Sequence, residues 1–287
     1  MKISIIGSGV VGKKIGFGLN DLGHEIIFYD IDPKTISEIK SKNFKATTYL
    51  KDAINNSDIS FICVPTPSNK NGIDLAIIKQ VSRECGEIIK DKGDYHIFVI
   101  KSTIVPGTTE NVIIPLLERY SNKKADKDFG VVFSPEFFTA SSKSWKEDQY
   151  RIVIGEGRDK RAGDVVENLY APLKLPIFRR DYKTAEFIKY AANLVLMSKI
   201  SIHNELFRVA EKLNIDGKDV SKIVSIDKRI GKYGSIPGKG FGGACFPKDL
   251  KAFIKFSEKI GYNPKLIKEI KKINEEIIEK YGIYGKD

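Results

Sequence analysis

The sequence predicts an α/β protein, a doubly wound parallel sheet followed by a small all-helical domain, and three features carry that prediction. Short apolar runs alternate with amphipathic stretches over residues 1–183. The first of these runs leads straight into a glycine-rich turn. From Thr184 to Leu213 the pattern changes to helical spacing without a single proline or glycine, which reads as one long central helix in a domain of residues 184–287.

The strands expected are Lys2–Ile6, Glu25–Tyr29, Ile59–Val64, His96–Ile100, Gly130–Phe133 and Ile152–Ile154, with helical segments between most of them. Ala185, Ile188, Ala192, Val195 and Lys199 to His203 mark the helically spaced stripe expected on the long helix, which Asn214 to Lys218 should end. A glycine-rich loop from Arg229 to Gly243 follows, then helices over Pro247–Ile260 and Pro264–Tyr281.

A chain of 287 residues, 41% of them hydrophobic, can bury two cores. No apolar run approaches the roughly 18–20 residues that cross a bilayer, and no secretory leader is visible, so a cytoplasmic protein is expected. Three cysteines without a CxxC pair fit a reducing compartment, and three scattered histidines offer no metal site. The net charge of +11 comes from lysines interleaved with Glu and Asp, which reads as a solvated surface and not as a nucleic-acid face. Its modest positive field suits anionic small ligands.

Gly7-Ser-Gly9-Val10-Val11-Gly12 follows the first strand and opens a helix. Gly7 permits the tight turn, Gly9 lets the backbone approach a pyrophosphate, and Gly12 allows close packing of helix on strand. Asp30 ends the next strand, where a carboxylate meets ribose hydroxyls and disfavours the 2′-phosphate of NADP. The sheet is therefore expected to be Rossmann-like, with NAD as cofactor.

Val64-Pro65-Thr66-Pro67 and Lys101-Ser102-Thr103 fall at strand ends, where open α/β sheets bind ligands, so the hydroxyls of Thr66, Ser102 and Thr103 should point into the crevice. Phe133-Ser-Pro-Glu136-Phe137 offers a partly buried carboxylate for acid–base work, with a structural ion pair as the alternative. Lys189 and Asn193, one helical turn apart, either form an oxyanion site or leave Lys189 facing solvent. Pro237-Gly-Lys-Gly-Phe-Gly-Gly-Ala-Cys245-Phe-Pro-Lys248-Asp249 carries the strongest signal. Pro247 suits the first position of a helix. Cys245 then stands at that helix's N-terminus, where the helix dipole and Lys248 should lower the thiol pKa and expose a reactive thiolate. Cys63 and Cys85 read as small core residues.

These motifs resemble the UDP-glucose/GDP-mannose dehydrogenase family from Met1 to about Tyr281: VPTP, the KST strand end, SPEF, the E-x-x-K-x-x-x-N helix from Glu186 to Asn193, and RIG…PGKGFGGACFPKD from Arg229 to Asp249. The resemblance implies an NAD-dependent, four-electron oxidation of a sugar CH2OH to a carboxylate through a covalent adduct on Cys245. It makes Lys189 and Asn193 the pair that steadies an oxyanion. Asp249 becomes the acid working on a bound water, Thr103 a hydroxyl near that water, and Glu136 a carboxylate for acid–base work on the thioester. It implies an NAD site of Gly7, Gly9, Val10, Val11, Gly12, Asp30, Val64, Pro65, Thr66, Ser102 and Thr103. On the sugar-nucleotide side it implies Glu136, Phe137, Phe138, Lys189, Asn193, Tyr233, Gly238, Phe241, Gly242, Gly243 and Cys245. A homodimer through the central helix is also implied.

Two departures from the family pattern stand out. Ala140 occupies the place of a second glutamate, and the chain stops shortly after the helix that usually leads into a C-terminal nucleotide-binding domain. If the chain is complete, base and diphosphate contacts are expected from a second subunit, from another protein, or from nowhere. Two other readings stay open: a β-hydroxyacid dehydrogenase of the 6-phosphogluconate type, which needs no cysteine, and a non-catalytic NAD-binding relative.

Overall fold

The computed structural model describes residues 1–137, 145 and 149–284. The elements in chain order are β1 (Lys2–Ile6), α1 (Val10–Asp21), β2 (Glu25–Tyr29), α2 (Pro33–Lys40), β3 (Lys45–Thr47), α3 (Leu50–Asn55) and β4 (Ile59–Ile62). A hairpin of β5 (Ser68–Asn69) and β6 (Gly72–Ile73) precedes α4 (Ala76–Lys90) and β7 (His96–Ile100). A π-helical turn, Thr109–Ile113, runs into α5 (Ile114–Ser121), followed by β8 (Phe129–Phe133), β9 (Ile152–Glu156), α6 (Arg161–Tyr170) and β10 (Ile177–Arg180). Four helices complete the chain: α7 (Tyr182–Lys212), α8 (Gly217–Val224), α9 (Phe246–Lys259) and α10 (Lys265–Tyr281).

Contacts divide the chain into two units. The first holds residues 1–67 and 74–189, the second residues 68–73 and 190–287. The first unit is built on an eight-stranded sheet in the order β10-β9-β8-β7-β4-β1-β2-β3. Its central strands are buried on both faces, as expected where helices cover both sides of a parallel sheet. One face packs on α3, α4 and α5 through residues such as Ile54, Ile78, Cys85 and Leu117. The other packs on α1, α2 and α6 through Ile15, Leu19, Ile39 and Val166.

The expected doubly wound, Rossmann-like architecture is present, with three additions. β9 runs antiparallel to β8, so the sheet is mixed. The edge strands β3 and β10 were not anticipated. β10 alternates half-buried with exposed residues, and Arg179 within it pairs with Glu156, Asp164 and Glu167, so its composition reads as surface.

The second unit is helical apart from the β5–β6 hairpin, which packs on α9: the Ser68 hydroxyl donates to the Lys248 carbonyl at 3.0 Å. Its core gathers Leu194, Met197 and Ile200 of α7 with Phe241, Leu250, Ile254 and Ile270. Helix α7 matches the expected span within two residues at either end. Its buried face differs from the anticipated stripe: Val195 is 59% exposed. The helix carries apolar residues on more than one face, and periodicity alone does not say which one is covered. Helix α8 was not anticipated. It begins on an Asp216 cap that accepts from the Lys218 and Asp219 amides.

Candidate active site

In the first unit the three glycines of the turn after β1 have different surroundings. Gly7 has a φ of +90°, and a β-carbon there would press on Cys63 and Val64 of the neighbouring strand end. A β-carbon on Gly12 would collide with the Gly7 carbonyl. Gly9 differs: a β-carbon there would meet nothing within 4 Å. Among the described residues no packing requires this glycine, and the space above it is open. Gly9 caps α1 without a side-chain hydrogen bond, which leaves the first-turn amides at Val10, Val11 and Gly12 for an anion. Asp30 accepts from the Ser8 amide at 2.7 Å and the Asp32 amide at 3.0 Å, which hold its carboxylate beside the turn.

The loops after β4 and β7 are zipped together. Thr66 Oγ1 donates to the Thr103 carbonyl at 2.6 Å, and Ser102 Oγ to the Val64 carbonyl at 2.6 Å. These two hydroxyls, anticipated in the crevice, are buried and spent on backbone; Thr103 is half-buried. Pro65 lies between the zipped residues and is exposed.

Below the same strand ends lies a buried charged pair. The Lys101 ammonium bonds Glu136 Oε1, and Gln149 donates its amide to Glu136 Oε2. Lys101 also donates to Tyr170 Oη at 3.1 Å and Ser134 Oγ at 3.4 Å. Burial opposes the charge on Lys101, yet Glu136 and Tyr170 outweigh it and hold the ammonium above its ordinary range. Lys189 reaches the same segment from α7. Its Nζ donates to the Glu136 backbone carbonyl at 2.6 Å and lies 5.4 Å from the centre of the Phe137 ring. Arg151 covers that ring at 4.2 Å. Phe138 and Ala140 lie outside the described residues.

Glu186 is fully buried on the first turns of α7. It accepts from the Gly107 amide at 2.5 Å and from both the amide and hydroxyl of Thr109, at 2.8 Å and 2.6 Å. Burial pushes its carboxyl up to about 7, with the hydrogen bonds from Thr109 and Gly107 limiting the rise.

In the second unit Cys245 is exposed and caps α9. The other two thiols differ. Burial pushes Cys63 up to about 12 and Cys85 beyond its ordinary range, so neither is a thiolate at neutral pH. One turn into α9, Asp249 is buried, with Oδ2 accepting from Asn193 Nδ2 at 2.7 Å and Oδ1 meeting Lys248 Nζ at 2.5 Å. Lys248, which the sequence places beside the thiol, is thus tied to Asp249.

The loop before Cys245 is anchored by two asparagines. Asn204 of α7 accepts from the Gly238 amide at 2.8 Å and donates to the Lys239 carbonyl at 2.9 Å. Asn274 of α10 accepts from the Phe241 amide at 2.8 Å and donates to its carbonyl at 3.0 Å. A β-carbon on Gly240 would come within 2.5 Å of Ile278 Cγ1, and one on Gly242 would strike Ile283. These two glycines therefore serve close packing within the unit. Gly243, with a φ of +78°, has open space around it, Tyr233 is part-exposed, and the Phe241 ring is buried in the core.

Sequence reasoning missed Lys101, Gln149 and Glu186, which shape the candidate site residues of the first unit, and Asn204 and Asn274, which anchor the cysteine loop of the second. Two signals were present: a lysine directly after the fully buried strand His96–Ile100, and a glutamate one turn before Lys189 on the same helix.

Residues 1–46 and 38–174 match the NAD-binding domain of the UDP-glucose/GDP-mannose dehydrogenase family, and residues 183–276 match its central domain. The chain is 39% identical over 276 residues to the GDP-mannose 6-dehydrogenase of Pseudomonas syringae pv. syringae, covering 88% of this chain and 63% of that protein. It is 34% identical to the UDP-glucose 6-dehydrogenase of Haloferax volcanii, covering 96% of this chain and 70% of that one. A solved UDP-glucose dehydrogenase from the archaeon Pyrobaculum islandicum superposes with a TM-score of 0.89 at 32% identity, over 96% of this chain and 68% of that one. The chain thus spans roughly two thirds of the length of these relatives.

Proposed function

The chain belongs to the UDP-glucose/GDP-mannose dehydrogenase family, and we propose that it is a cytoplasmic, NAD-dependent nucleotide-sugar 6-dehydrogenase. Its substrate is UDP-glucose or a related UDP- or GDP-sugar, and its product is the uronate. Residues 1–183 serve as the NAD-binding domain and residues 184–287 as the helical domain that carries the cysteine. The observation that carries the reading is Cys245, exposed at the start of α9 one turn before a buried Asp249 bonded to Asn193.

The residues suit a two-stage oxidation. The Gly7–Gly12 turn and Asp30 would hold NAD, which would supply the hydride acceptor, one molecule for the first stage and a second for the next. In the first stage the sugar C6 gives up a hydride and its hydroxyl a proton, leaving an aldehyde. The Cys245 thiolate then adds to C6, forming a C–S bond and an alkoxide that Lys189 and Asn193 meet with N–H donors. Loss of a second hydride from C6 leaves a thioester. Water, oriented through Asp249 and Thr103 with Glu136 assisting proton transfer, adds to the thioester carbon. The C–S bond breaks, and the carboxylate and the thiolate are released.

The test is NADH formation from NAD with a panel of UDP- and GDP-hexoses. The expected yield is two NADH per sugar for the unaltered protein, and no more than one, with no uronate, for Cys245→Ala. Full two-step oxidation by Cys245→Ala would abandon the covalent route. A silent panel would abandon the activity and leave an NAD-binding protein.

A homodimer through α7 fits the same reading. Val195, Ile202 and Val209, spaced seven apart, are each more than half exposed, with Leu206 and Leu213 on the adjoining stripe.

A further inference from the structure

Lys101 has no part in the chemistry outlined above, yet it is among the most completely enclosed charged groups in the first unit. Its side chain is 1% exposed, against 9% for the Glu136 side chain it meets. A lysine ammonium has three protons to donate. Here they have three partners: Glu136 Oε1, Tyr170 Oη and Ser134 Oγ. Nothing about strand stability calls for this arrangement. Buried ion pairs are commonly matched or bettered by apolar residues of similar volume, because desolvating two charges offsets their attraction. Such a pair at the end of β7, two residues before Thr103, therefore points to a role beyond packing.

Glu136 is held from several sides. Lys101 takes Oε1, Gln149 takes Oε2, and Lys189 fixes the backbone carbonyl. An ionised carboxylate has about four lone-pair sites, and among the described residues the bonds from Lys101 and Gln149 leave capacity for another donor. The ammonium lies on the more deeply buried side of the carboxylate, so what exposure the pair retains belongs to Glu136.

We propose that Lys101 is a positioning residue that acts through Glu136 as its counter-ion, fixing the orientation of that carboxylate for the hydrolytic step. The inference rests on the nucleotide-sugar dehydrogenase reading. It assigns the SPEF glutamate a counter-ion that reaches the reacting carbon only by way of that carboxylate.

The experiment compares pH–kcat profiles of NADH formation for the unaltered protein, Lys101→Met, Glu136→Gln and the double variant, with the sugar nucleotide that the unaltered protein turns over best. Removing an opposite charge in contact with a carboxylate shifts its titration by about one to three pH units. Lys101→Met is therefore expected to move the acidic limb of the profile upward by at least about one unit, to lower kcat, and to leave KM for NAD within about twofold. An unchanged limb would overturn the inference whatever happens to kcat. Should Lys101→Met fail to fold, the double variant still decides, since it buries no unpaired charge. It is expected to match Glu136→Gln alone, because a residue that acts only through Glu136 has nothing further to lose. A double variant at least about tenfold slower than Glu136→Gln would overturn the proposal. Absence of NADH from the unaltered protein with every sugar would remove the enzymatic reading and this inference together. Turnover with an unmoved profile would remove this inference alone.

Discussion

Of the three thiols, Cys245 alone is exposed, and it stands where a helix begins. That much was legible, because proline and glycine around a cysteine mark a helix start plainly. The partners were not. Lys248 reads in sequence as a charge beside the sulfur, but its ammonium lies on Asp249. Likewise Thr66 and Ser102 read as crevice hydroxyls, while the fold gives them backbone acceptors. Sequence spacing tells which residues share a strand end or a helix turn; it does not tell which short side chain finds a carbonyl first. Glu186 yields a pH prediction. Its folded carboxyl titrates near 7, above the ordinary 4.5, so its contribution to stability is complete below pH 4.5 and is lost as pH rises through about 7. The loss is on the order of 3 kcal/mol. Urea denaturation at pH 5 and pH 8 should show the unaltered protein losing more stability across that interval than Glu186→Gln. Parallel declines in the two proteins would remove Glu186 as the cause.

At the scale of elements, the strands of the main sheet that sequence located are the central ones, buried on both faces. Those of that sheet it missed lie at the edges, where alternation is short and charge is tolerated, and the two-residue strands of the β5–β6 hairpin are too short to show a period. The glycine-rich loop was legible as a loop, but half of its reason was hidden. Gly240 and Gly242 make room for Ile278 and Ile283, and Asn274 pairs with both backbone groups of Phe241. A buried amide that satisfies two backbone groups is costly to replace. Asn274→Leu should lower unfolding stability by roughly 2 kcal/mol or more and reduce adduct formation at Cys245, read by thermal melting and by mass spectrometry after thiol alkylation. A variant with an unshifted melt and unchanged alkylation rate would show that the loop holds its shape without α10.

For the whole molecule, the order of elements, a sheet followed by helices, was readable from hydrophobic periodicity because local pattern and burial agree along most of the chain. Assembly was less so, since an exposed apolar stripe and a buried one have the same period. If the stripe of Val195, Ile202 and Val209 covers a second copy, Ile202→Glu should convert a dimer to a monomer in light scattering without shifting NAD affinity. A monomeric unaltered protein would dismiss the expectation. The β5–β6 hairpin bears on how the second unit comes to be made. Ser68 and Lys248 are bonded although 180 positions apart in sequence. During synthesis the hairpin emerges long before its helix exists, and loop closure over so great a separation is slow. The nascent chain must therefore carry residues 68–73 unclaimed until α9 has been made, and amides within α9 should be the last of the second unit to gain protection in a pulse-labelled refolding experiment.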